Sequence, residues 1–448
     1  MRSALLNLTL ILITFQPLPT LAEPDVSVLY HESLELLEID RASDGSVERI
    51  TFDAFGRRFD LHIEFSRAGV AGSEAQLMKA RLANAQNAWA RLTLRGKTLT
   101  GIIDDANETY IIEARGGLDP DLLMTDDRSV SASIIYRLSD TLVAPGLLAC
   151  DGSHDGTLQS GRINGKTAYA KLAAEVDVTT DATADRDYVA TVGIVADSHM
   201  FALLEDDTEF FVQDLFAAVV GIYSEQVGVT IDPVMIEVST SLSSDPVGER
   251  RNGTKVLEEL GIWRRANQPW TALTHLITNR GLQNDHGNSI AGISFLGSPG
   301  QSGICDARTG ASISEWFGSG MTALIIAHEI GHNFGATHDG ERAEQGAIPN
   351  PCEYVESDEY LMSPMLSGRR NNQFSQCSLE QMDKVITAAS CLSPTLQQEA
   401  SVNSGGGSAL HFMTPLILMV AARVRRRERQ MTAVASYSFG RATELCKI

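Results

Sequence analysis

His328 and His332 stand four residues apart, with Glu329 beside the first, in the stretch His328-Glu329-Ile330-Gly331-His332-Asn333-Phe334-Gly335-Ala336-Thr337-His338-Asp339. On a helix that spacing puts both imidazoles on one face, one turn apart, as two ligands of a single tetrahedral zinc require. Gly335 can take a positive φ and turn the chain sharply. The turn lets His338, beyond the helix, supply a third ligand. Three protein ligands leave the fourth position open for water, which is the catalytic rather than the structural arrangement. Glu329 is not needed as a ligand. Its expected role is general base, taking a proton from the zinc-held water as that water attacks a carbonyl. A bare His-Glu-x-x-His arises by chance on surface helices, whereas the extended form with Gly335 and His338 is far more selective.

The elements that must position these residues are readable around them. Leu324-Ile325-Ile326-Ala327 extends the motif back into a helix starting near Met321. Upstream, Val192 to Val195 reads as a buried strand, and Phe210 to Gln226 carries Phe211, Leu215, Val219 and Ile222 at helical spacing. Val234 to Val238 reads as another strand, Leu273 to Ile277 falls in a second helix candidate, and Ile290 to Leu296 is a strand. Strands alternating with helices indicate an α/β domain over 187–393. Residues 23–150 read as mostly β. Arg58 to Glu64 alternate apolar and polar, and Leu99 to Ile103 and Thr109 to Glu113 flank a hairpin turn at Asp104-Asp105-Ala106-Asn107-Glu108. Residues 151–186 and 394–408 have linker composition.

At 448 residues with 43% hydrophobic content, the chain has room for two packed domains plus tails. Its formal net charge of −21 argues against nucleic acid as a partner. Residues 1–22, with Arg2, an apolar run from Ala4 to Phe15 and Thr20-Leu21-Ala22, read as a secretory signal peptide. Export makes disulfides available to the six cysteines.

The zinc motif followed by Asp339 resembles the adamalysins (reprolysins), the metzincin branch that includes the ADAM sheddases and venom metalloproteases. Tyr360-Leu361-Met362-Ser363-Pro364 is similar to that family's Met-turn, and Phe374-Ser375-Gln376-Cys377-Ser378 to the segment that follows it. Gly292-Ile293-Ser294-Phe295-Leu296 looks like the family's substrate-pairing edge strand. The resemblance covers 187–393 and implies an α/β metzincin domain: a mixed sheet with helices, a cleft along its edge strand, and Met362 beneath the zinc. It implies one catalytic zinc, protein or peptide substrates, and a pocket walled by Pro364, Met365 and Leu366. It also implies disulfides Cys352–Cys377 and Cys305–Cys391. Thr191 and Leu392-Ser393-Pro394 stand where many adamalysins place calcium ligands, so calcium is not expected. With only Cys446 beyond Cys391, neither a disintegrin nor a cysteine-rich domain is expected to follow.

Phe52-Asp53-Ala54-Phe55-Gly56-Arg57-Arg58-Phe59 is similar to a strand of the adamalysin propeptide. A β-rich propeptide domain is therefore expected before the catalytic one, with Cys150 as a latency switch on the zinc. The implied activity is hydrolysis of internal peptide bonds in extended protein segments. The alternatives are an inactive protease-like module for protein binding or adhesion, and a zinc amidase acting on a small substrate.

At the other end, Gly405-Gly406-Gly407, an apolar run over 409–422 and an Arg cluster from Arg423 to Arg429 resemble the GlyGly-CTERM sorting tails of Gram-negative exported proteins. That resemblance implies a secreted or cell-surface protein with a transient membrane anchor in 409–430, cut near the glycines. Residues 431–448 extend past such a tail and have no assigned role.

Overall fold

Alternation in the N-terminal strands has a direct structural result. Phe59 and Leu61 are fully buried, while Arg58, His62 and Glu64 at the alternate positions face solvent. The computed structural model describes residues 26–34, 36–68, 75–83, 85, 87–115, 123, 132–143, 148–150, 188–342, 350–356, 360–365 and 372–394. The expected signal peptide, the linker over 151–186 and the C-terminal tail lie outside them.

The N-terminal strands are β1 (Val26–Val28), β2 (Glu32–Leu34), β3 (Leu36–Arg41), β4 (Val47–Ala54), β5 (Arg57–Ala68), β6 (Ala75–Leu82), β7 (Trp89–Arg95), β8 (Thr98–Asp104), β9 (Thr109–Ala114), β10 (Ser133–Arg137) and β11 (Thr141–Val143). Nine of them form one antiparallel sheet in the order β2-β10-β9-β8-β7-β6-β5-β4-β3, and β1 pairs with β11. Adjacent residues point to opposite faces. Ile103, Ile112 and Ile135 join a core with Phe52, Phe59 and Leu92. Their neighbours Ile102, Ile111 and Ile134 enter a different core, described below.

The remaining elements are β12 (Leu148–Cys150), β13 (Tyr188–Ala196), α1 (Ser198–Leu204), α2 (Thr208–Gln226), β14 (Val229–Val238), α3 (Gly253–Asn267), β15 (Leu273–Thr278), β16 (Ile290–Ser294), β17 (Ala311–Glu315), α4 (Ser319–Asn333), α5 (Gln376–Ala388) and β18 (Ser393–Pro394). The second sheet runs β12-β16-β17-β15-β13-β14, with β18 added against β13. It is mixed: β16 is antiparallel to β17, while β13, β14, β15 and β17 are parallel. This is the mixed sheet with helices that the sequence implied.

One expectation is corrected. Leu273 to Ile277 is strand β15, not helix. All six residues of β15 are buried, because a central parallel strand is covered on both faces, and its sequence Leu-Thr-His-Leu-Ile-Thr therefore lacks the apolar–polar alternation that marks a strand. The helix preceding it is α3, capped by the Asn252 side chain, which accepts from the Lys255 amide at 3.0 Å.

The largest core joins the two sheets' territories. Trp89, Ile102, Ile111 and Tyr136 from the N-terminal sheet share it with Phe211, Phe216 and Val219 of α2 and with Met321 and Leu324 of α4.

Candidate active site

The motif histidines sit on α4 and the turn after it. Every residue of α4 is buried. Tyr223 on α2 donates its hydroxyl to the Ala327 carbonyl at 2.8 Å, tying the two helices together one residue before His328. Phe334 ends the helix and Gly335 takes φ 96°, which sends the chain back so that His338 faces the two helical histidines.

Each imidazole is oriented through Nδ1. His328 Nδ1 donates to the Leu361 carbonyl at 2.7 Å and His332 Nδ1 to the Ala336 carbonyl at 2.7 Å. His338 Nδ1 donates to the Glu341 carboxylate at 2.6 Å. Since carbonyls and carboxylates only accept, the proton of each ring is on Nδ1, and each Nε2 carries a lone pair. The three Nε2 atoms converge. His332 Nε2 is 3.1 Å from that of His328 and 3.2 Å from that of His338. Tetrahedral zinc with Zn–N distances of about 2.0–2.1 Å needs donor atoms roughly 3.3–3.4 Å apart. Three lone pairs aimed at one point repel unless a cation lies between them, so both donor chemistry and spacing fit zinc. The three side chains are all buried.

Glu329 is buried beside the triad. Ser294 of β16 donates its hydroxyl to Glu329 Oε2 at 2.8 Å. Gly292 on the same strand leaves room for the carboxylate, since a Cβ there would lie 2.5 Å from Glu329 Oε1. Ile293 is buried, while Phe295 and Leu296 follow the strand end and are partly exposed. Asn333 donates to the carbonyls of Phe295 and Ala311 at 2.8 and 3.0 Å, fixing α4 to this strand.

Met362 lies under the helix. A Cβ on Gly331 would be 2.8 Å from its Sδ, and its carbonyl accepts from the Asp339 amide at 2.9 Å. Asp339 in turn accepts from the Ser375 and Ser378 hydroxyls at 2.7 and 3.2 Å. Pro364 and Met365 follow the turn and are partly exposed, whereas Leu366 falls outside the described residues. Cys305 is joined to Cys391 and Cys352 to Cys377.

Three features were not anticipated from the sequence. The outer edge of β16 is taken by β12, in parallel register with Leu148 opposite Ile290 and Cys150 opposite Gly292. Ser294 turns its hydroxyl onto Glu329 rather than into a cleft. Glu341 closes on His338; its place three residues after the third histidine was the available signal, since metal-bound histidines so often donate to a carboxylate. A second group, Asp197, His199 and Asp245, has ligand-like spacing. Fully buried Arg280 pairs with both of its carboxylates and accounts for that cluster.

Residues 205–388 match the family described as Metallo-peptidase family M12B Reprolysin-like. Among curated relatives, disintegrin and metalloproteinase domain-containing protein 11 of Mus musculus is 24% identical over 375 residues, covering 79% of this chain and 42% of the relative. The Homo sapiens protein of that name is 24% identical over 335 residues, covering 72% and 38%. A disintegrin and metalloproteinase with thrombospondin motifs 18 of Homo sapiens is 35% identical over 130 residues, covering 26% of this chain and 10% of the relative. The chain thus spans less than half the length of these relatives. The likeness to a reprolysin-like M12B metallopeptidase domain thus lies in residues 205–388.

Proposed function

We propose that this chain is a secreted zinc-dependent endopeptidase that hydrolyses internal peptide bonds of extended protein segments. The observation that carries the reading is the convergence of three Nε2 lone pairs beside the Glu329 carboxylate, at the strand where a substrate backbone would pair. His328, His332 and His338 would hold the zinc. When bound, zinc lowers the pKa of water and polarises a carbonyl oxygen. Glu329 accepts a proton from the attacking water and returns it to the leaving amine. Ser294 fixes one oxygen of that carboxylate, so the base meets the reaction in one orientation. A substrate strand adds to β16 through Gly292 to Leu296, and Pro364 and Met365 border the pocket beyond the scissile bond. The two disulfides support an extracellular site of action.

Residues 23–150 act as a propeptide that keeps the enzyme latent, with Cys150 as the switch. This is supported by the register of β12, which sets Cys150 opposite Gly292, the residue against which Glu329 rests. A strand in that position excludes a substrate from the same edge.

The test is cleavage of a denatured protein, read on a gel. The Cys150→Ser chain should cleave faster than the wild type, a chelator should stop it, and added zinc should restore it. Failure of both the wild type and Cys150→Ser to cleave, with zinc bound, would contradict the reading.

A further inference from the structure

Helix α2 is buried almost all round, which is unusual for a helix at the side of a sheet. One side packs on its own sheet and on α4. The other packs on β7 and β8 of the N-terminal sheet. Trp89 and Arg91 close over Gly221, where a Cβ would lie 2.5 Å from the Trp89 ring and 2.7 Å from Arg91 Cγ.

Polar groups complete this contact. Thr100 on β8 donates to the buried Asp214 carboxylate of α2 at 2.7 Å. Glu225, near the end of α2, is held by Lys79, Arg81 and Arg91 at 3.4, 2.9 and 3.1 Å. Arg95 reaches Asp207 at 2.7 Å and lies 4.4 Å over the Phe210 ring. The most telling contact is at the active-site helix itself. The residue before α4, Gly318, has no side chain to cap it. The cap comes from the N-terminal sheet: Glu113 on β9 accepts from the Gly320 amide at 2.7 Å and from the Tyr136 hydroxyl at 2.9 Å. Ile111 packs directly on Gly320.

We infer that the N-terminal sheet, the bulk of the proposed propeptide, does not leave when the connection is cut, so that a chain cut between residues 151 and 186 remains a two-piece complex held by α2 and the first turn of α4. Removing the sheet would expose one side of an apolar helix, strand the Asp214 carboxylate without its Thr100 partner, and uncap the helix that carries His328, Glu329 and His332. The inference goes beyond latency and does not depend on catalysis, so complex formation and cleavage fail separately.

The experiment introduces a site for a sequence-specific protease between residues 160 and 175 of the full chain, cuts it, and follows both pieces by gel filtration in native buffer. They should elute together at low micromolar concentration. Glu225→Lys, which sets a cation among Lys79, Arg81 and Arg91, should weaken the cut complex at least tenfold. Glu113→Ala should speed hydrogen exchange of the Gly320 amide in the uncut chain. Separation of the cut wild-type pieces, equal dissociation constants for wild type and Glu225→Lys, or unchanged Gly320 exchange in Glu113→Ala would overturn the inference.

Discussion

At the scale of single residues, the site depends on what stands behind each histidine. Two of the three Nδ1 partners are backbone carbonyls and cannot be removed by substitution. The third is the Glu341 carboxylate, on a partly exposed side chain. A carboxylate on the far nitrogen holds the ring's tautomer and raises its donor strength. Glu341→Ala should therefore weaken zinc retention by about 10–100-fold. Chelator competition on the purified chain measures this; an unchanged zinc affinity would mean that His338 is oriented by its loop alone. That His328, His332 and His338 come together on one helix and its following turn, with Glu329 on the same helix, was legible in the sequence because the information is local: spacing of four, a glutamate between, and a glycine before the third histidine. The partners of those residues were not. Leu361 and Ser294 become neighbours of the site only through the fold, and no periodicity marks them; Ala336 and Glu341 are close in sequence, and of these Glu341 alone carried a signal, its place three residues after His338.

At the scale of elements, α4 and the turn at Gly335 do the positioning. Gly335 has φ 96°, and a Cβ there would lie 2.6 Å from Val385 Cγ2 on α5. A residue with a side chain strains both the backbone and this contact. Gly335→Ala should cost about 1–3 kcal/mol of stability, read as a lowered denaturant midpoint with an unchanged slope, and should loosen zinc by displacing His338. The disulfides anchor the neighbouring segments. Replacing Cys352 and Cys377 by serine should cost about 2–5 kcal/mol, read by thermal unfolding against the wild type under non-reducing conditions. Other elements were readable where a period or a turn marks them: β5 by its alternation, β8 and β9 by the polar turn between them, and α2 by apolar residues at helical spacing. Strand β15 was not, because burial on both faces erases the alternation that distinguishes a strand. Helix α3 was missed for the opposite reason: its apolar residues are sparse among charges, and its clearest mark was the Asn252 cap.

At the scale of the molecule, two sheets share one core through α2 and α4, and that sharing leaves buried carboxylates at the seam. Burial pushes the Asp214 carboxyl up to about 7, against the pull of the Thr100 and Thr93 hydroxyls, and the Glu113 charge pushes it the same way. An aspartate with an unfolded pKa of about 3.9 and a raised folded value contributes stability that is fully present below the unfolded pKa. That stability is lost as pH rises from there to about 7, and the loss levels off above it. Compared with Asp214→Asn, the wild type should lose a few kcal/mol across that window. The measurement is the difference between their denaturant midpoints at several pH values; parallel curves would mean that Asp214 stays ionised. None of this seam was readable from the sequence, because contacts such as Thr100 to Asp214 and Glu113 to Gly320 join residues far apart in the chain. The two halves each announce their own secondary structure, but not that they bury it against one another. In the proposed function, peptide cleavage depends on the Glu329 carboxylate beside the three histidines. The most direct measurement compares Cys150→Ser with the same chain carrying Glu329→Ala, reading zinc content and cleavage of a denatured protein together. One zinc is expected in each, with cleavage reduced by about 10²–10⁴-fold or more by the second substitution. Comparable cleavage by the two chains, with zinc in both, would contradict it.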